Sequence, residues 1–252
     1  MLSRNELKRL KSLRQKKYRL KLNRFMVEGV RLVEEAVKVE RVESVFHCSD
    51  ALSSERSTVL MTELKKRDIP IMKIDGKEME ILSDTVQNQG VVALATIPVH
   101  HYSQPASIKD NWLYLDNVRD PGNLGSILRA ADWFGLKNIA LSPACADPYN
   151  PKVVRGGMGA HFHLNVHRDI PLSDLKKSGK KIIAAVQNST PISELDMKES
   201  EEWCLVMGSE ADGISEKSRS LADQFVSIPG TGEAESLNVA VATGILLYQL
   251  TN

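Results

Sequence analysis

Five short runs in the second half of the chain are almost wholly apolar: Trp112–Leu115, Ile139–Leu141, Ile182–Val186, Trp203–Met207 and Phe225–Ile228. Each is flanked by turn residues, and helix-forming stretches lie between them. A strand that is apolar throughout needs cover on both faces. Strands that alternate with helices join through crossovers. Together these predict a mostly parallel α/β sheet with helices on both sides. The helices are expected over Gly125–Trp133, 151–157, 171–177, 215–222 and 236–250, and Phe162–Val166 reads as a further strand. Pro151 sits at a favoured first-turn position. Pro121-Gly122-Asn123 reads as a turn ahead of its helix.

The first 98 residues read as a smaller α/β unit. Residues 5–22 form one basic helix, Phe25–Gly29 a short strand or turn, and 29–38 a helix. Val42–Cys48 is a strand, 57–66 a helix, Ile69–Ile74 a strand, 76–83 a short helix, and Gly90–Ile97 a strong strand. His100–Asp110 lacks periodicity and reads as a linker. The expected organisation is a unit over 1–98, a linker over 99–110 and a second domain over 111–252. A chain of 252 residues, 42% apolar, suits one large domain or two ordinary ones with proper cores. It has no apolar run long enough to span a membrane, and no apolar stretch follows the basic N-terminus as in a secretory signal. Cys48, Cys145 and Cys204 are odd in number and widely spaced, which fits neither a disulfide framework nor a zinc site and suits a reducing cytoplasm.

The net charge of +1 hides an asymmetry. Residues 1–24 hold ten Lys and Arg against Glu6 alone, a local charge of +9, so the rest of the chain carries −8. Such a segment fits a polyanion partner, through Lys8, Lys11, Arg14, Lys16, Lys17 and Arg24. It equally fits a solvated amphipathic helix with Leu2, Leu10, Leu13 and Leu20 near one face.

Three segments hold polar groups where a fold alone has little use for them. Asp116–Arg129 follows a strand and carries Asn123 and Arg129 toward the strand's carboxyl end, where ligands bind in open parallel sheets. Met207–Ser215 follows another strand. In it, Gly208 allows a ligand close to the backbone, Glu210 lies just past the strand, and Ser215 caps the next helix. Ile228–Ala242 passes two glycines and Glu235-Ser236-Leu237-Asn238 into a helix, which buries or half-buries a carboxylate, a hydroxyl and an amide at the helix mouth. Ser236 or Asn238 serves equally as a plain cap. There is no dinucleotide fingerprint, no Walker lysine and no nucleophile elbow. The histidines form no helical metal pair; His161-x-His163 is either a metal pair on a strand face or a polar strand edge.

In this order and spacing, the three segments resemble the motifs of the SpoU/TrmH RNA 2′-O-ribose methyltransferases of the SPOUT superfamily, over about residues 112–250. Residues 1–98 resemble the ribosomal-protein-like RNA-binding domain often fused ahead of them, with Phe25–Gly29 and Gln89-Gly90-Val91 at its motif positions. The resemblance implies a deep trefoil knot in the C-terminal segment, a homodimer with its active sites near the interface, and S-adenosylmethionine as methyl donor without a metal. It implies cofactor contacts from Gly208, Ile228 and Leu237, with Val186 and Gln187 nearby. It assigns catalysis to Arg129, with Asn123, Glu210 and Ser236 orienting it and the ribose, and Asn238 holding the motif loop. It also raises RNA contact by the basic N-terminus, and by Arg155, above the solvated-helix alternative. Arginine stays protonated in proteins, so Arg129 suits a cation that steadies phosphate and developing alkoxide better than a base. Two positions depart from the family pattern: Gly230 stands for a usual Met, and Gly156-Gly157 for a usual Ala-Ser. Ribosomal RNA is the expected substrate. Transfer RNA, base methylation and a non-catalytic RNA-binding factor are the alternatives.

Overall fold

The computed structural model describes residues 2–48, 54–85, 88–98, 110–197 and 201–252. The linker expected over 99–110 lies outside the described residues except for Asp110. The chain divides into two compact units, one of residues 1–99 with 149–162, the other of 100–148 with 163–252.

The first unit opens with α1 (Arg4–Ser12) and α2 (Lys16–Leu22). Ser3 and Glu6 start α1 with a reciprocal capping box. The single helix expected over 5–22 is broken at Leu13–Gln15. Arg19, only 2% exposed, explains the break: its guanidinium donates to the carbonyls of Leu13 (2.7 Å) and Arg14 (2.8 Å), satisfying acceptors that a helix end leaves open. Next come β1 (Arg24–Glu28), α3 (Val30–Lys38), β2 (Val42–His47), α4 (Glu55–Lys66), β3 (Ile71–Lys73), α5 (Gly76–Leu82) and β4 (Val91–Thr96). The sheet runs β1-β4-β2-β3, with β4 antiparallel to both neighbours and β3 parallel to β2.

Strand β4 explains the layering, because its side chains alternate between faces. Val91, Ala93 and Ala95 join Phe25, Val27, Val33, Val37, Leu60 and Leu64 under α3 and α4. Val92 faces Leu10, Phe46, Met79 and Leu82 under α1 and α5. Each such large apolar side chain contributes about 1.5–3 kcal/mol when fully buried. Of the expected leucine face on the basic segment, Leu10 and Leu13 are buried, whereas Leu20 is 46% exposed.

The second unit starts with β5 (Trp112–Leu115), α6 (Pro121–Trp133) and β6 (Asn138–Leu141). The chain then supplies α7 (Pro151–Gly157) to the first unit. There the Tyr149 ring lies 5.0 Å from that of Phe25, Phe162 stacks on Phe25 at 6.3 Å, and Val154 enters the same core. Asn150 caps α7, and left-handed Met158 closes it. The strand expected over Phe162–Val166 is instead a 3-10 turn, Ala160–Phe162, followed by β7 (Asn165–His167). Gly159, at φ 103°, packs so closely on Glu35 that a Cβ there would lie 3.1 Å from its Cγ, and this bend ends any early strand. His161 is therefore buried in a turn beside Tyr149, and His163 pairs with Asp132 at 3.0 Å, so neither sits on a strand face. No group of three metal-ligating side chains exists among the described residues.

The remaining elements are α8 (Leu172–Lys177), β8 (Lys181–Pro191), β9 (Trp203–Met207), α9 (Glu216–Arg219), β10 (Gln224–Ser227) and α10 (Val239–Thr251). All six strands are parallel, in the order β10-β8-β9-β5-β6-β7. This is the α/β class expected, and β5, β6 and β9 are buried along their whole length. From β5 the chain moves first to β6 and β7, then crosses to the other side. The carboxyl ends of β5 and β9 therefore flank the switch point, where parallel sheets bind ligands. Among the described residues no helix is long and apolar enough to cross a membrane.

Candidate active site

Asp116, directly after strand β5, is 3% exposed. Its backbone N–H donates to the Met207 carbonyl at 2.8 Å, and its Oδ2 accepts the Ser215 N–H at 2.8 Å. One buried residue thus ties the end of β5 to both ends of the loop after β9, through its backbone N–H at Met207 and its carboxylate at Ser215. Asp116 follows an apolar strand directly, and that signal was available in the sequence, but it was not singled out.

Asp120 caps α6 by accepting the Asn123 N–H at 2.8 Å, with Pro121 in the first turn. Pro121-Gly122-Asn123 is thus the opening turn of the helix and not a turn before it. From there the Asn123 amide nitrogen donates to Glu210 Oε1. The Asn123 amide oxygen accepts from Asn238 Nδ2 at 2.8 Å. Asn238 in turn caps α10, its Oδ1 accepting the N–H groups of Ala240 (2.9 Å) and Val241 (3.3 Å). That cap fixes the polarity of the set. With its oxygen on the helix, Asn238 can present only its nitrogen to Asn123, which must then turn its own nitrogen to the acceptor-only carboxylate of Glu210. Residues 87 and 115 positions away from Asn123 meet it at the switch point.

Gly208 is a glycine for a reason within the chain itself. A Cβ there would lie 2.1 Å from the carbonyl carbon of Gly213 and 2.3 Å from the Ile214 nitrogen, so the chain's own backbone fills the space. Ser209 and Gly213 exchange two backbone hydrogen bonds at 3.0 Å each, and Gly213 turns at φ 66°.

The loop after β10 contrasts with this. Residues 229–238 are all exposed, so Glu235, Ser236 and Asn238 are not buried or half-buried as the sequence suggested. Leu237 is 49% exposed and Ile228 half-buried. Gln187 Nε2 holds the Glu235 carbonyl at 3.1 Å. Val186 and Gln187 lie in an excursion of β8. Pairing with β10 jumps from Ala184 to Thr190, so 185–189 have no register partner on either neighbouring strand, and the Ser189 carbonyl instead accepts the Ser227 hydroxyl at 2.7 Å.

Ser236 and Arg129 stay outside the amide network. Both are exposed, and Arg129 forms no ion pair among the described residues. Burial pushes the thiols of Cys145 and Cys204 up, so neither is a thiolate nucleophile at neutral pH. Of the basic residues expected to meet RNA, Lys8, Lys11, Lys16 and Lys17 are exposed, with Lys17 over the Tyr18 ring. The other three have protein partners. Arg14 donates to the Ser83 carbonyl, Arg24 pairs with Glu43, and Arg155 pairs with Asp84 at 3.0 Å.

Comparison with known proteins agrees with this geometry. Residues 110–248 match the SpoU rRNA Methylase family, and residues 4–93 match the MRM3-like substrate binding domain. The 23S rRNA (guanosine(2553)-2'-O)-methyltransferase RlmP of Bacillus subtilis is 34% identical over 244 residues, which cover 95% of this chain and 93% of that protein. The AdoMet-bound rRNA methyltransferase of Sinorhizobium meliloti superposes with a TM-score of 0.83 at 27% identity, over 99% of this chain and 95% of that one. The SpoU methyltransferase AviRb of Streptomyces viridochromogenes, in complex with AdoMet, superposes with a TM-score of 0.85 at 25% identity, over 99% and 97%. With its parallel sheet, its three linked motifs and these relatives, the chain belongs to the SpoU rRNA methylase family, with a substrate-binding domain ahead of the SPOUT fold.

Proposed function

We propose that this chain moves the methyl group of S-adenosylmethionine to a ribose 2′-hydroxyl of ribosomal RNA. The observation that carries the reading is the one-way chain Asn238–Asn123–Glu210, which links the loops after β5, β9 and β10 at the switch point. The Bacillus subtilis and Sinorhizobium meliloti relatives are rRNA methyltransferases, which favours rRNA over tRNA. S-adenosylmethionine supplies an already activated methyl, so the reaction needs positioning more than a metal. The excursion of β8 over 185–189, together with Ile228 and Leu237, would hold the adenosyl moiety. Glu210, its carboxylate aimed by Asn123, accepts a hydrogen bond from the ribose and orients its oxygen for in-line attack. Arg129 would pair with a substrate phosphate and stabilise the negative charge that grows on O2′ as its proton passes to solvent water, the new O–CH3 bond forming as the methyl–sulfur bond breaks and S-adenosylhomocysteine leaves. Ser236, exposed on the loop, is placed to hydrogen-bond the ribose.

The same reading makes the protein a homodimer. On α6, Trp133 is 84% exposed and lies one turn beyond Arg129. On α10, which packs against α6, Val241, Ile245 and Tyr248 are 52%, 39% and 59% exposed. A contiguous apolar face of this kind favours a self-complementary contact, and it puts Arg129 at the edge of a neighbour's site. The family knot belongs to this reading too. The order β10-β8-β9 and the return of α10 to α6 support it. Three widely spaced cysteines suit a cytoplasmic location. Mass spectrometry of nuclease digests tests the reaction: wild type should add a methyl to ribose, and Arg129→Ala should lose about a hundredfold or more in rate with cofactor affinity intact. A full rate in that variant, or a methyl on a base, would sink the assignment.

A further inference from the structure

Within the first unit a groove of about 200 Å3 opens beside the first turn of α3, Thr85, Gln89 and α7. Leu32 and Met158 give it apolar surface, and Arg31, Arg155 and Gln89 give it donors. Gln89 is fixed in orientation: its Oε1 accepts the Val30 N–H at 3.0 Å, and its Nε2 has no partner among the described residues. Arg31 is exposed and forms no ion pair among the described residues. The lining carboxylate, Glu28, is saturated. It accepts Ser83 Oγ at 2.5 Å, the Asp84 N–H at 3.0 Å and the Thr85 hydroxyl. Those bonds hold the 83–85 backbone, so the Asp84 side chain sits between two guanidinium groups, Arg155 at 3.0 Å and Arg14 at 4.0 Å. Of these three only Arg155 lines the groove, so an anion already stands on one of the groove's two cations.

The groove is far larger than the roughly 30 Å3 a water occupies, yet smaller than the ~300 Å3 typical of drug-sized ligands. That suits a single base out of its stack. A base face can lie on an apolar wall beside planar guanidinium groups, and unpaired N–H groups can donate to its edge or its phosphate. We propose that this groove is a subsite for one unstacked nucleotide of the RNA, whose phosphate displaces Asp84 from Arg155. Asp84 thereby discounts binding of RNA that cannot deliver an unstacked nucleotide. This rests on the methyl-transfer reading for the identity of the polyanion.

Binding of labelled oligo(A) and oligo(U), and of an RNA duplex, to the full chain across a salt series tests it. Arg31→Gln should weaken oligonucleotide binding about tenfold and lower the salt slope by about 0.7, the share of one phosphate contact on a single strand. Gln89→Glu keeps the acceptor for Val30 and places a charge in the groove. It should weaken the same binding at least as much, with its thermal midpoint unchanged. Asp84→Asn should act in the opposite direction, tightening the single strand several-fold. Duplex binding should stay the same in all three. Arg31→Gln and Gln89→Glu indistinguishable from wild type on the oligonucleotides would overturn the subsite. So would weaker binding by a stably folded Asp84→Asn. Wild-type failure to methylate rRNA would overturn the function reading instead, and the oligonucleotide results would still decide the subsite.

Discussion

Two loops leave neighbouring regions of the same parallel sheet and are built in opposite ways. The loop at 208–215 is tied to itself and to β5. Gly213 folds back on Gly208, Ser209 and Gly213 exchange backbone bonds, and Asp116 holds Ser215. The loop at 229–238 is exposed throughout, fastened by Gln187 at Glu235 and by Asn123 at Asn238. Glu210 sits on the rigid loop and Ser236 on the exposed one. A site that must hold a carboxylate still while admitting a cofactor and an RNA strand gains from that division: pre-organisation on one wall, access on the other.

The contrast breaks most sharply at Gly208. Gly208→Ala sets a methyl against the Gly213 carbonyl carbon, a contact that backbone cannot yield to cheaply. About 3 kcal/mol or more of stability should go, and activity with it. Thermal or urea denaturation measures this. A loss under about 1 kcal/mol would mean that the 208–215 loop is as adaptable as its neighbour.

Next in size is the joint between the loops. Asn238→Asp keeps the acceptor for Ala240 and Val241, and Asp caps a helix as well as Asn does, so stability should hold within about 0.5 kcal/mol. The donor to Asn123 is lost, and a carboxylate replaces the amide that set the polarity of the chain to Glu210. The turnover rate should fall by about a hundredfold with a small change in KM. Equal losses in stability and rate would point to a capping role alone.

A smaller effect lies at the root of the exposed loop. Asp223 precedes β10, its Oδ2 accepts the Ile182 N–H at 2.8 Å, and its Oδ1 pairs with Lys176. Burial works to raise its carboxyl, but the bonds from Lys176 and Ile182 outweigh it and hold the group below its ordinary value of 3.8. A depressed carboxylate stabilises the fold above its unfolded pKa and ceases to do so as pH falls through the lower folded value. Asp223→Asn should therefore cost about 0.5–1 kcal/mol at neutral pH, discounted for its exposure. The gap from wild type should close as the pH drops below about 4, and denaturation at pH 7 and pH 3 reads it directly.

The parallel sheet was legible because strands buried on both faces must be apolar, and β5, β6 and β9 are apolar along their length. The three motifs were legible through their polar residues at strand ends, although Asp116 escaped notice as an ordinary acid after a strand. The break between α1 and α2 was not, because it depends on Arg19 folding back onto Leu13 and Arg14, and a helical period carries no trace of that bond. Nor was the placement of α7. Its cap and first-turn proline specify a helix, but the partners of Val154 and Tyr149 are chosen by tertiary packing. Exposure of the 229–238 loop was misjudged for the opposite reason. Polar residues beside glycines suggested a buried pocket wall, whereas a single chain has nothing to cover them.

The smallest expected effect falls on that loop, at the position that departs from the family pattern. A Cβ at Gly230 meets no atom within 4 Å, and its φ is not left-handed, so the fold does not require glycine there. Gly230→Met should change stability by no more than about 0.5 kcal/mol, with a slight gain as the unfolded chain loses freedom. Because the side chain would extend from the loop that follows Ile228, its effect should appear in cofactor affinity and not in the apo midpoint. Thermal shift with and without S-adenosylmethionine separates the two. An apo loss of several degrees would mean that a surface covers Gly230 in solution, as a second subunit would, and the exposed wall of the site would then be closed by assembly and not left open by the fold.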